Sequence, residues 1–214
     1  MIIDHNKKFL FIAIPKTGST SIKRRFNILK DPPPEQNHIN LEEVLDLKPE
    51  TKNYFKFCFV RNPYDRLVSA YYDLKSSPGH LQWSYPILKY KNFSEFVVNL
   101  NTSPCKKFVH LLPQNHFIKT ESSNHSIDFV GRFENLENDF KKVERKLNIA
   151  HRPLPHKRKM KDQIKKKFDL KKILSKLNFF KTKLPHYMSE YTLETKDICY
   201  QIYKKDFEKF GYEK

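Results

Sequence analysis

Two short stretches hold residue types suited to gripping phosphate-like anions. Pro15-Lys16-Thr17-Gly18-Ser19-Thr20-Ser21 supplies one cation, several hydroxyls and a glycine. Backbone N–H groups at a helix start point outward, and the helix dipole favours an anion there. The residues alone leave two readings open: a phosphate cradle, or an exposed turn with capping residues. The stretch is not a Walker A loop, because Lys16 precedes Gly18 and no glycine lies upstream. The second stretch is Phe57-Cys58-Phe59-Val60-Arg61-Asn62-Pro63-Tyr64-Asp65-Arg66-Leu67-Val68-Ser69-Ala70-Tyr71. Arg61 and Ser69 offer a guanidinium and a hydroxyl, a pair that suits a second phosphate. The competing reading is a local ion pair between Arg61 and Asp65 at a helix start.

Both stretches need a strand before them and a helix after them. Phe9 to Ile14 is a continuous apolar run, the pattern of a buried parallel strand. Pro15 ends it, Gly18 permits a tight turn, and a helix is predicted over Ser19 to Leu29 with Ser19 or Thr20 as N-cap. Tyr54 to Val60 is the second strand signal. Asn62 can cap the next helix with Pro63 at its first position, and Leu67, Ala70, Tyr71 and Leu74 form one apolar stripe. Further helices are expected at Leu41 to Leu47, Phe93 to Leu100, Glu134 to Leu147, Lys165 to Leu177 and Tyr191 to Phe210. Ile127 to Phe133 reads as a strand, Phe108 to Leu112 and Phe117-Ile118 as weaker ones, and Ser77 to Pro86 as a loop. Strand–helix alternation over the first 150 residues predicts an α/β fold with a central, mostly parallel sheet and a helical C-terminal part.

The 214 residues suggest one domain, 1–214. An aromatic content of 14% argues against disorder. The apolar runs fall short of the roughly 18 residues of a membrane span, and Phe9 to Ile14 is too short and too late for a signal peptide. Three cysteines without metal-ligand spacing disfavour a disulfide scaffold or a zinc knuckle and fit a reducing compartment. The net charge of +17 implies an anionic partner. It is concentrated: His151 to Lys183 carries 13 Lys or Arg against two acids, Asp162 and Asp169. A local basic segment on a mildly basic domain suits an accessory feature better than a nucleic-acid-binding face.

The PKTGSTS turn followed by FVRNPYDRLVSAY resembles the sulfotransferases that use 3′-phosphoadenosine 5′-phosphosulfate (PAPS). The closer resemblance is to the carbohydrate sulfotransferase branch, of the sulfotransferase family 2 type. His110-Leu111-Leu112-Pro113-Gln114, Asp128-Phe129-Val130-Gly131-Arg132-Phe133-Glu134-Asn135-Leu136 and the ending Tyr203 to Tyr212 fit that branch too. The resemblance implies a P-loop NTPase-like three-layer α/β/α sandwich and metal-independent sulfuryl transfer from PAPS to a carbohydrate-type hydroxyl. It implies that Lys16, Thr17, Gly18, Ser19, Thr20 and Ser21 hold the 5′-phosphosulfate, and that Arg61 and Ser69 hold the 3′-phosphate. Lys16 would also stabilise the leaving oxygen.

A general base must take the acceptor proton. Of nine histidines, His38 is the first choice, because related 2-O-sulfotransferases place their proposed base between the two phosphate motifs. His110 is the second, with a structural role as its alternative. His116, His151, His156 and His186 read as surface or acceptor-side residues, and Asp65 and Glu134 as structural. Arg132 is read as contacting cofactor or acceptor, or as pairing with Glu134 or another acid. The basic segment at about 156–183 departs from the family pattern; it reads as a solvated helical insertion or as a dock for an anionic glycan. The resemblance implies a glycan or other hydroxyl-bearing acceptor, with no nucleic-acid partner and no membrane anchor in this chain. A cytoplasmic protein is expected, or one of the Golgi lumen if trimmed from an anchored precursor. The rival functions are a P-loop-related small-molecule kinase, which would need magnesium ligands, and a non-enzymatic nucleic-acid binder.

Overall fold

The computed structural model describes residues 1–28, 38–76, 86–120, 125–155 and 187–214. The predicted basic helix over Lys165 to Leu177 lies outside them, as do the loop residues 77–85, His156 and His186. Four strands, β1 (Ile2–Asp4), β2 (Phe9–Ile12), β3 (Phe55–Val60) and β4 (Phe129–Arg132), form one sheet in that order. β2, β3 and β4 run parallel, as expected, and β1 adds an antiparallel edge that sequence reading missed. The helices are α1 (Ser19–Arg25), α2 (Leu41–Leu47), α3 (Pro63–Ser76), α4 (Phe93–Asn99), α5 (Leu136–Lys146) and α6 (Leu193–Phe210).

The period of two in a strand sorts the core. Leu10, Ile12, Cys58 and Val60 face one way and pack with Leu41, Val44 and Leu45 of α2. Phe9, Phe11, Phe57 and Phe59 face the other way and pack with Ile22 of α1 and Phe140 and Val143 of α5. Helices thus cover both faces, which is why these strands read as unbroken apolar runs. A second core, built from Tyr64, Tyr71, Phe93, Phe96, Tyr203 and Phe207, joins α3, α4 and α6 beside the sheet.

Three expectations are corrected. Residues 108–112 and 117–118 are not strands. Leu111 N and Leu112 N both donate to Phe108 O, and Gln114–Phe117 is a 3-10 turn. Phe108 and Leu111 face the helical core while Val109 and Leu112 face the sheet, an i, i+3 alternation that a turn provides and a strand cannot. α1 is shorter than predicted and ends at Arg25, with Asn27 in the left-handed region at φ 60°. Its N-cap is Gly18, not Ser19 or Thr20.

Candidate active site

β2 and β3 are parallel neighbours, so their C-terminal ends bring both motifs to the same end of the sheet, where open α/β sheets bind ligands. The first turn is shaped by two left-handed residues, Lys16 at φ 68° and Gly18 at φ 86°. A Cβ at Gly18 would also lie 2.9 Å from Leu136 Cδ2 and 3.3 Å from Phe133 Cδ2, so those side chains would have to shift to admit one. Within the turn the residues divide. Thr17 is fully buried, and its hydroxyl donates to Ile14 O at 2.9 Å, so this hydroxyl secures the turn from inside. Ser19 is buried, Ser21 half-buried and Thr20 exposed at the start of α1. Lys16 Nζ lies 3.1 Å from Asp73 Oδ1 on α3.

Arg61 leaves the end of β3 and meets the first turn, with Nη1 donating to Lys16 O at 3.1 Å. Its Nε donates to Asp65 Oδ2 at 2.7 Å, so the local ion pair weighed from sequence does form. The guanidinium also stacks on the Phe133 ring, 4.2 Å from its centroid. Asp65, Ser69 and Asp73 are spaced four apart on α3 and therefore share one helix face. Asp65 meets Arg61 and Asp73 meets Lys16, which sets Ser69 between the two cations. Ser69 is half-buried, and its hydroxyl makes no hydrogen bond among the described residues.

The two candidate bases are neighbours. The His38 and His110 rings lie 5.6 Å apart, edge to face. His38 Nδ1 is 2.6 Å from Ala13 O, at the foot of the first turn. A carbonyl only accepts, so Nδ1 carries the hydrogen and Nε2 keeps its lone pair. Burial holds the His38 pKa down at about 3; the Ala13 bond opposes this, and His110 and Lys23 reinforce it. His38 is therefore a neutral imidazole at neutral pH, oriented by its backbone contact.

Several residues important to this geometry escaped sequence reading. Arg66 is buried at 2% exposure, and its Nε donates to Pro15 O at 3.0 Å and its Nη2 to His110 O at 3.3 Å. Burial lowers its pKa, while Tyr203 and Asp206 oppose that shift. Gln114 is fully buried and binds both backbone groups of Arg61: Arg61 N donates to Oε1 at 2.9 Å, and Nε2 donates to Arg61 O at 2.8 Å. Glu134 accepts from Asn62 N at 2.6 Å and from the Tyr212 hydroxyl at 3.0 Å. Arg132 does not pair with Glu134 as one reading had it; its guanidinium donates to Phe210 O and stacks on Tyr212. Of the remaining histidines, His116 is exposed, and His151 Nδ1 is 2.6 Å from the buried Glu144.

A family model described as "Sulfotransferase family" matches residues 1–213. The chain belongs to the sulfotransferase family. It is 25% identical to carbohydrate sulfotransferase 11 of Danio rerio, with 65% of this chain and 50% of that protein covered. It is 28% identical to human carbohydrate sulfotransferase 14, with 67% and 45% covered. With carbohydrate sulfotransferase 10 of Xenopus laevis the identity is 24%, over 99% of this chain and 67% of that protein. The chain spans about half the length of the first two of these relatives. No solved structure matches it. No described helix is long and apolar enough to cross a membrane.

Proposed function

We propose that the chain is a PAPS-dependent sulfotransferase acting on a carbohydrate-type hydroxyl. The observation that carries this reading is the meeting of the two anion motifs, with Arg61 Nη1 on Lys16 O and Ser69 set between the acids that contact Arg61 and Lys16. The relatives' names, all carbohydrate sulfotransferases, support the acceptor class. The fold we infer is the P-loop-type three-layer sandwich over residues 1–214, with the basic segment as an insertion.

The residues present fit an anionic nucleotide. A cation, the exposed Thr20 hydroxyl and the start of α1 lie at the first turn, and a guanidinium and the Ser69 hydroxyl lie at the second. In this proposal Lys16 and the Gly18 to Ser21 backbone hold the 5′-phosphosulfate, and Arg61 and Ser69 hold the 3′-phosphate. Thr17 contributes backbone and internal support rather than its hydroxyl. His38 Nε2 takes the proton of the acceptor hydroxyl as its oxygen bonds to sulfur. The bond from sulfur to the phosphate oxygen breaks in line, and Lys16 stabilises the charge on that leaving oxygen. As in phosphoryl transfer, the protein's contribution is mainly positioning and charge stabilisation. The transfer needs no metal in this scheme.

Calorimetric titration with 3′-phosphoadenosine 5′-phosphate (PAP), the desulfated product, tests the reading. ATP without magnesium serves as the control ligand. Wild type should bind PAP, and Arg61→Ala should bind it at least about tenfold more weakly, the size of one lost charge-assisted contact. A folded wild type that does not bind PAP would overturn the proposal.

A further inference from the structure

The ending Tyr203 to Tyr212 holds a buried acid, Asp206, that is wired to the candidate site. Asp206 has no exposed surface. Each of its carboxylate oxygens accepts one backbone hydrogen bond, Oδ2 from Gln114 N at 2.6 Å and Oδ1 from Asn115 N at 2.8 Å. These are the first two N–H groups of the 3-10 turn Gln114–Phe117, which no side chain of its own N-cap satisfies. Asp206 thus supplies the missing cap from a helix 92 positions away in sequence. Burial raises its pKa, and the two N–H groups and Arg66 oppose that rise.

The capped turn has one outward service. Its first residue, Gln114, pairs with the N–H and the C=O of Arg61 as a neighbouring strand would. Arg61 lies just beyond β3, where the described ladder has ended, so the Gln114 amide fixes the backbone from which the guanidinium projects. Tyr203 sits one turn before Asp206 on α6, and its hydroxyl donates to Leu111 O at 2.8 Å, in the same loop. That bond secures the loop without touching Gln114.

We infer that Asp206 is a positioning residue for the nucleotide site, acting through Gln114 on the backbone of Arg61. This rests on the proposed function, since it assigns Arg61 an anionic nucleotide. The consequence is specific: a bond lost at Asp206 should be read at the nucleotide, whereas an equally buried bond lost at Tyr203 should be read mainly in stability.

The test is PAP titration and thermal unfolding of wild type, Asp206→Asn, Gln114→Met, their double variant and Tyr203→Phe. Asp206→Asn keeps the shape but turns an amide N–H toward one of the two backbone donors. Gln114→Met leaves the Asp206 bonds to the backbone intact and removes the pair with Arg61. Each should weaken PAP binding by about tenfold, and the double variant should be no weaker than the worse single one, because both act on one path. Tyr203→Phe should lower the melting temperature and change PAP affinity less than about threefold, a fraction of one hydrogen bond. Losses that multiply in the double variant would overturn the inference, as would a folded Gln114→Met with wild-type affinity. If Asp206→Asn does not fold, Gln114→Met against Tyr203→Phe still decides. Failure of wild type to bind PAP is a different result and overturns the proposed function itself.

Discussion

The two strand-end turns converge on one place but are held in opposite ways. The first, Pro15 to Ser21, is shaped largely from within: Lys16 and Gly18 adopt left-handed backbone, and Thr17 bonds Ile14 three residues back. The second, at Arg61, is shaped from afar. Gln114 holds its backbone, Phe133 lies under its guanidinium, and Asp206 holds Gln114. Local chemistry can build a backbone cradle, whereas aiming a long guanidinium takes packing on several sides. Arg66 is the member common to both, since it bonds Pro15 O in the first turn and His110 O in the loop that carries Gln114.

The largest effect is therefore expected at Arg66. Arg66→Met keeps much of the side chain's bulk but leaves Pro15 O and His110 O without this donor. It also removes the positive charge that stabilises the ionised form of Asp206. Leaving a buried acceptor without its donor costs about 1–3 kcal/mol, and two are affected here. Chemical denaturation should show a loss of that order together with a loss of PAP binding. A loss under about 1 kcal/mol, within the range of ordinary surface changes, would mean that the two turns are held independently.

The same contrast explains what sequence alone could reveal. Gly18 in a turn after an apolar run is a local signal, and so is Asn62 before Pro63, whose Oδ1 accepts from Tyr64 N at 2.9 Å as a helix cap. The stripe of Leu67, Ala70, Tyr71 and Leu74 is likewise local, and all four residues are buried. The Gln114–Arg61 pairing spans 53 positions and the Arg66–Pro15 bond 51, and no periodicity records either. Phe108 to Leu112 misled because a turn that divides its apolar side chains between two cores carries as many of them as a strand. β1 escaped notice because three residues are too few for a period to show.

A smaller effect separates the two histidines at the foot of the first turn. The His38 pKa is about 3 in the folded chain, and the ordinary value of about 6.5 applies to the unfolded one. Between those values the unfolded state binds the extra proton, so stability falls as pH drops through the window and is unaffected by this group above it. His38→Asn should flatten that part of the stability profile. If His38 is the base, the acid limb of kcat/KM should show no inflection near pH 6.5, because the free enzyme keeps His38 neutral there. An inflection at that pH, present in wild type and retained in His38→Asn, would move the base away from His38.

The smallest effect concerns the acids on α3 that pair with the cations of both turns. The Lys16–Asp73 contact is partly exposed, with side chains 20% and 28% accessible, whereas the Arg61–Asp65 pair is more enclosed at 14% and 21%. An anionic nucleotide at the first turn would have to share Lys16 with Asp73. Asp73→Asn removes that competing charge at little cost to the fold, since ion pairs at such positions contribute about 1 kcal/mol or less. PAP affinity at low salt should therefore rise by up to about fivefold, and the gain should shrink as added salt screens the carboxylate in the wild type. Weaker binding by Asp73→Asn would give the opposite lesson: the first turn, like the second, would depend on a distant acid to aim its cation, and the contrast between the two regions would be confined to their backbones.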